Sequence, residues 1–304
     1  MARVRNDLAS YVAGSLEKIA DGFIFTEGPV WHPDGFLLFS DMPGDVRRRW
    51  APSEGVTVLR EPANKCNGMA FDQQGRLLVC EHSTSRLVRE EPDGSFEVLA
   101  DSFEGSELNS PNDVVVAFDG DIFFTDPTYG RTPDFGLERE PQLDFRGVYR
   151  LSPGGLNLID TDFTQPNGLC FSPDESTLYV NDTERGIIVS YPRSVDGTIG
   201  SRSVFADEIG DIDFGVGVVD GMKCDSEGNV LVTGPNGIWV FEASGDLMGV
   251  IAVPEVAGNI NWGGPDWSTL YITASTSVYR VDTTVSGAPV PNMRRTGVNG
   301  VVDA

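Results

Sequence analysis

Residues 167–182 read NGLCFSPDESTLYVND. A polar residue opens a short apolar segment, a Pro-Asp turn follows, and a second apolar segment ends on an acid. Two runs this short, joined by turn chemistry, describe paired antiparallel strands. The unit recurs on both sides. It reads EGPVWHPDGFLLFSD from Glu27, NGMAFDQQGRLLVCE from Asn67 and NDVVVAFDGDIFFTD from Asn112. It returns as DGMKCDSEGNVLVTG from Asp220 and NINWGGPDWSTLYITA from Asn259. The openers are spaced by 40, 45, 55, 53 and 39 residues.

Most units continue into two weaker strands around turn centres such as PDG (92–94), PGG (153–155), VDG (195–197) and SGD (244–246). Four short strands per ~45 residues is the signature of a propeller blade. The sequence therefore predicts an all-β, six-bladed β-propeller with four antiparallel strands per blade. Blades start near residues 27, 67, 112, 167, 220 and 259. The sixth unit is short, and SLEKIADG (15–22) is placed to supply its missing outer strand. Residues 15–23 would thus complete the last blade and close the ring by pairing the two ends of the chain, which leaves no open edge. A chain of 304 residues suggests two domains by length alone, at ~150 residues per domain. The repeat makes it one domain, 1–304.

Composition narrows the partners. The chain carries 46 Asp plus Glu against 22 Lys plus Arg, a formal charge of -24. Such a surface is unsuited to neutralising nucleic-acid phosphates or docking on anionic lipid. No apolar run approaches the ~20 residues of a membrane span. The first residues lack the sustained apolar stretch of a signal peptide. Cys66, Cys80, Cys170 and Cys224 show no CxxC spacing and sit in or beside apolar runs. Buried free thiols and a cytoplasmic location are the expectation.

The repeat also locates chemistry. In a propeller the first strand of each blade lines the central channel, so equivalent positions form a ring. The openers are Glu27, Asn67, Asn112, Asn167, Asp220 and Asn259. Asn and Asp often open strands because they satisfy nearby backbone groups, but that accounts poorly for six in register. Two carboxylates and several amide oxygens, without His or Cys, describe a site for one hard divalent cation. Ca²⁺ fits best. The second strands return to the same mouth and end on Asp41, Glu81, Asp126, Asp182, Gly234 and Ala274. Those acids would deepen the negative potential or orient the ring amides, unless they only bond loop backbone. Two long connections, 127–147 and 208–219, fall on the mouth side, where Tyr129, Phe135, Phe145 and Phe214 could wall a pocket. Arg47, Arg48 and Arg49 read as a solvated strand. His82 follows Glu81 near the mouth but with its side chain on the opposite face of the strand, from which it could touch the substrate loop. The run GDIDFG (210–215) lacks the ligands and flanking helices of an EF-hand.

EGPVW, LNSPNDVVV followed by FTDPTYG, PNGLCFSPDESTLYVND, VVDGM and GGPDWSTLYITASTSVYRV together resemble the hallmark segments of the gluconolactonase, regucalcin and senescence-marker-protein family. The resemblance runs from about residue 15 to 285 and is nearest to the bacterial gluconolactonase-like branch. It implies a divalent cation held by Glu27, Asn167 and Asp220. Asn112 would contact the metal, its water or the substrate. Asn67, Asp126, Tyr129 and Asn259 are weaker lining candidates. Ca²⁺ is the first expectation, with Mg²⁺, Mn²⁺, Zn²⁺ and Fe²⁺ as alternatives. The implied activity is hydrolysis of a small-molecule sugar lactone to its aldonic acid, with Asp220 as ligand and base and Asp126 as the alternative base. Related proteins of this fold suggest two other readings, a phosphotriester or fluorophosphate hydrolase and a calcium-binding regulatory protein without turnover. Some family members grip substrate with an Arg before the third opener. Here the stretch is Asn109-Ser110-Pro111.

Overall fold

The second strand of each repeat is apolar without interruption, as in FLLF (36–39), LLVC (77–80) and LYV (178–180). An unbroken run this short marks a strand buried on both faces. The computed structural model, which describes residues 8–210 and 216–293, places these strands between neighbouring blades. Leu37, Phe39, Leu78, Phe123, Phe124 and Leu178 are fully enclosed.

Six four-stranded antiparallel sheets account for the repeats. Blade 1 comprises Thr26–His32, Phe36–Asp41, Val46–Ala51 and Gly55–Arg60. Blade 2 comprises Cys66–Phe71, Leu77–Glu81, Arg86–Glu90 and Phe96–Ala100. Blade 3 comprises Val114–Val116, Ile122–Asp126, Gly147–Ser152 and Gly155–Asp160. Blade 4 comprises Pro166–Phe171, Thr177–Asp182, Ile187–Pro192 and Ser203–Ala206. Blade 5 comprises Met222–Cys224, Val230–Gly234, Gly237–Phe241 and Leu247–Ala252. Blade 6 takes Ala257–Gly263, Thr269–Ala274 and Ser277–Asp282 from the end of the chain and Glu17–Asp21 from its beginning.

That closure matches the expectation and is reinforced. Ala13 N–H donates to the Asp282 carbonyl at 2.8 Å. The buried Tyr11 hydroxyl donates to Asp225 at 2.9 Å, tying the lead-in segment to blade 5. Helix is slight among the described residues, which include one turn at Leu8–Tyr11 and a 3₁₀ turn at Tyr129–Arg131. No helix among the described residues is long and apolar enough to cross a membrane. A short hairpin, Ser102–Phe103 with Ser106–Glu107, adds a third long mouth-side connection that the repeat does not announce. Phe214 and most of the GDIDFG run lie outside the described residues. All four cysteines are buried and unbridged.

The expectation for Arg47 needs correction. Its side chain is 3% exposed and paired with Glu90 of blade 2. Arg48 pairs with Asp41 at 2.8 Å and Arg49 with Glu54 at 2.6 Å. The reason is that this third strand packs against the next blade, so its cations meet acids there or nearby and not only water.

Candidate active site at the channel mouth

Each ring residue stands at or just before the start of a first strand, where the chain enters the channel. In blades 1, 2 and 4 the pairing of first and second strands slips between the opener's neighbourhood and the third residue on: Glu27/Val30, Cys66/Met69 and Pro166/Leu169. A bulge at this place re-aims a side chain out of the ladder. A glycine follows the opener in four blades, at Gly28, Gly68, Gly168 and Gly221. A Cβ on Gly28 would lie 1.9 Å from the Asn67 carbonyl oxygen, and one on Gly168 would lie 2.2 Å from the Asp220 carbonyl oxygen. Only glycine lets adjacent openers approach this closely.

Second strands supply a further clasp. The Ser40 hydroxyl donates to the Asn67 carbonyl at 2.9 Å, and the Thr125 hydroxyl to the Asn167 carbonyl at 2.7 Å. The Asn181 amide donates to the Asp220 carbonyl at 2.5 Å. The position just before the terminal acid thus pins the opener of the next blade. The signal was present in the repeat as Ser, Thr and Asn at one register position, but its partner lies in another sheet.

The structure brings Glu27, Asn167, Asp220 and Asn259 together. Glu27 is 2% exposed; it accepts from the Gly28 N–H at 2.8 Å and from the Asn259 amide. Asp220, half-buried, is bonded to Asn167 and faces Glu27. Burial pushes both carboxyls above the ordinary range. Asp113 adds to this in both, and Glu27 itself adds to it in Asp220. Two acids that both resist ionising are a place where a cation would be favoured. The amides point the same way. Asn167 gives its NH₂ to the Thr183 hydroxyl at 3.1 Å, and its buried Oδ1 has no hydrogen-bond partner. Asn67 gives its NH₂ to His82 Nε2 at 3.2 Å, and its buried Oδ1 is likewise unpaired. Buried carbonyl oxygens without donors fit a hard cation. Among the described residues no three acids, histidines or cysteines cluster at ligand distance, so the amides must complete any such set. Asn112 is buried beside them, and its backbone N–H donates to the Thr125 carbonyl at 2.9 Å.

His82 is fully buried, with Nδ1 3.0 Å from the Phe135 carbonyl oxygen. That contact assigns the proton to Nδ1 and leaves Nε2 to accept from Asn67. Burial lowers its pKa to about 4, against the pull of the Phe135 carbonyl, so the ring is neutral near pH 7. His82 therefore touches the 127–147 loop and also orients a ring amide.

Tyr129 sits half-buried over the mouth, beside Thr183 and within the field of Asp220. Burial holds its pKa above the usual phenol value, against the pull of its contact with Thr183. Phe135 stacks edge-on against Phe25 at the rim. Phe145 packs the loop itself, edge-on to Phe103. The loop is held down by Arg131, whose Nε donates to the Asn109 carbonyl at 2.7 Å and whose Nη1 pairs with Glu107 at 2.9 Å. Lys65 donates to the Pro133 and Asp134 carbonyls at 3.2 Å each.

Three acids of the second ring, Asp41, Asp126 and Asp182, are committed to backbone N–H groups. Asp126 is fully buried and accepts from the Asn109 and Ser110 N–H groups at 2.8 and 2.7 Å. Asp41 accepts from the Ile24 N–H at 2.9 Å, and Asp182 from the Thr164 N–H at 2.7 Å. In each case a donor stands three residues before a ring residue: Ile24, Asn109 and Thr164 before Glu27, Asn112 and Asn167. These carboxylates fasten the lead-in segments, because the turn that ends the second strand leaves backbone N–H groups there to be satisfied. The sequence reading missed Asp113 and Lys223. Asp113 is 3% exposed and stands where four other blades have glycine; Lys223 reaches across to within 3.7 Å of its Oδ2. The break in the opener–glycine pattern was the available signal.

At the opposite end of the channel lies a cavity of about 90 Å³. Its walls include Val30, Met69, Val116, Phe171 and Trp262, and the segment 288–292 borders it. Its lining is mainly apolar and contains none of the ring side chains.

The chain matches the family described as SMP-30/Gluconolactonase/LRE-like region over residues 25–276, and it belongs to that family. It is 34% identical over 306 aligned residues to the gluconolactonase of Zymomonas mobilis, covering 93% of this chain and 85% of that protein. A solved structure of a gluconolactonase from Xanthomonas campestris superposes with a TM-score of 0.83 at 34% identity, covering 93% of this chain and 94% of the other. A calcium-binding protein from Agrobacterium tumefaciens, named as regucalcin, shares the fold with a TM-score of 0.75 at 20% identity, covering 93% and 96% of the two chains.

Proposed function

We propose that the chain hydrolyses a sugar lactone to its aldonic acid at the channel mouth, with one divalent cation held by Glu27, Asn167, Asp220 and Asn112. The observation that carries this reading is the pair of buried, raised carboxyls beside unpaired buried amide oxygens, in a chain 34% identical to a gluconolactonase. Ca²⁺ is the preferred ion on the hardness of the oxygen set, and a fold relative is itself named as calcium-binding. When bound, the cation supplies Lewis-acid polarisation of the lactone carbonyl.

The chain's own residues do the rest. Asp220 is the proposed base: it accepts a proton from the water whose oxygen attacks the carbonyl carbon. The ring C–O bond then breaks, and the departing alkoxide takes a proton to become a hydroxyl. Asp220 is bonded to the side chains of Asn167 and Glu27 at the mouth, whereas both oxygens of Asp126 are held by backbone N–H groups. Asn112 would orient the substrate or the water. Tyr129 and Phe135 would cover the sugar, on a loop clamped by Arg131 and Lys65.

The test is direct. Protein stripped with chelator is resupplied with single divalent cations, and acid release is followed on a panel of aldonolactones and one phosphotriester. Cation-dependent acid release from sugar lactones is expected. Preference for the phosphotriester would reassign the substrate, and no turnover on any substrate would leave a binding protein.

A further inference from the structure

Three buried carboxylates act on one another along the channel. Glu27 and Asp220 flank the mouth, and Asp113 stands behind them from blade 3, close enough to act electrostatically on both. One oxygen of Asp113 accepts from the Val114 N–H at 2.9 Å. The other, Oδ2, is buried without a hydrogen bond. Facing it at 3.7 Å is Lys223 Nζ, projected from the first strand of blade 5 three residues beyond Asp220. The ammonium also donates to its neighbour's carbonyl, Met222 O, at 2.9 Å. Lys223 borders the mainly apolar cavity at the far end of the channel, where few polar groups are at hand to screen a charge.

We propose that Lys223 is a built-in counter-cation that sets the charge of the ion the mouth accepts. The inference rests on the reading of the mouth as a cation site and deepens it. Three carboxylates carry three negative charges. One divalent cation and one ammonium neutralise them together, whereas a monovalent ion leaves a net negative charge and a trivalent ion a net positive one. Uncompensated charge in a buried site is costly. Lys223 is thus a specificity-determining residue. It touches neither substrate nor cation, and it acts through Asp113.

The experiment is calorimetric titration of chelator-stripped protein with Ca²⁺ and with Tb³⁺, with folding checked by near-ultraviolet circular dichroism. Lys223→Met should bind Ca²⁺ at least about tenfold more tightly, and should shift its preference toward Tb³⁺, because the positive charge that pairs with Asp113 and acts on Glu27 has been removed. Asp113→Asn should bind Ca²⁺ at least about tenfold more weakly for the converse reason. The double variant should return to within about threefold of the starting affinity, the mark of coupled charges. If Lys223→Met does not fold, Lys223→Gln in the same titration decides. A folded Lys223 variant with unchanged or weaker Ca²⁺ affinity overturns the proposal. An unsubstituted protein that takes up no divalent cation overturns the cation reading itself, a result distinct from a cation-binding protein indifferent to Lys223.

Discussion

At the scale of the residue, the division of labour among acids is the main result. Asp220 opens a first strand and Asp126 ends a second strand at the same end of the repeat, yet one is bonded to Asn167 and Glu27 and the other holds two backbone N–H groups. Asp220→Ala should lower kcat by roughly a thousandfold, the range of a lost general base, with protein folding retained. Asp126→Asn should instead lower the melting temperature and disturb KM, because it loosens Asn109 and Ser110. Steady-state kinetics paired with thermal melts would separate the two roles. The raised carboxyls make a second prediction. Glu27 and Asp220 bind protons more tightly in the folded chain than in the unfolded one, so the metal-free protein loses their contribution as pH rises above the ordinary carboxylate range. A cation that replaces those protons reverses the loss. The gap in melting temperature with and without Ca²⁺ should therefore widen from pH 5 to pH 8. His82 has the opposite sign. Its folded pKa of about 4 lies below the unfolded value, so the unfolded chain binds more protons between these limits. Stability is full above about pH 6.5 and falls as pH drops toward 4, by about 3 kcal/mol. A His82→Gln variant should lack that acid-sensitive component in denaturant titrations.

At the scale of the element, the bulged first strand and its glycine decide where the ring residues point. The alternation of a strand would send every second side chain into the channel; the slip after Glu27, Cys66 and Pro166 breaks that alternation. Gly28 has a φ of +49° and no room for a Cβ. Gly28→Ala should cost about 3 kcal/mol through overpacking and strain, and should weaken cation binding by displacing Asn67. Thr125→Val keeps the shape of the second strand of blade 3 but removes the donor to the Asn167 carbonyl. It should destabilise by about 1–2 kcal/mol, and calorimetry should show a weaker Ca²⁺ affinity even though the altered residue is outside the ring.

At the scale of the molecule, the ring is closed by strands from both ends of the chain, so the last blade depends on residues more than 250 positions apart. We propose that the six blades behave as one cooperative unit, because each shares its apolar face with the next. Tyr11→Phe tests this. It deprives the buried Asp225 of a donor far from the mouth and should cost about 1–2 kcal/mol. Scanning calorimetry should show one transition shifted down by a few degrees. A separate early transition for blades 5 and 6 would contradict cooperativity. The net charge of -24 is mostly unrelated to the mouth. Many acids pair with arginines on the surface, as Glu54 does with Arg49 and Asp162 with Arg185.

The sequence alone determined the six blades, the closing strand and the identity of the six openers. These follow from local periodicity and turn chemistry, which recur at a fixed spacing and need no knowledge of distant contacts. It also brought Glu27, Asn167 and Asp220 to one end of the channel, because strand direction is set by the repeat. Only the tertiary structure decided which acids face the mouth. Asp126 and Asp220 differ in what lies beside them, and for Asp126 that neighbour is a lead-in segment sixteen to seventeen residues away. The pairing of Asp113 with Lys223 and of Asn67 with His82 was equally hidden. The first joins blades 3 and 5 across the channel, and the second depends on the bulge that turns Asn67 out of its own ladder toward His82.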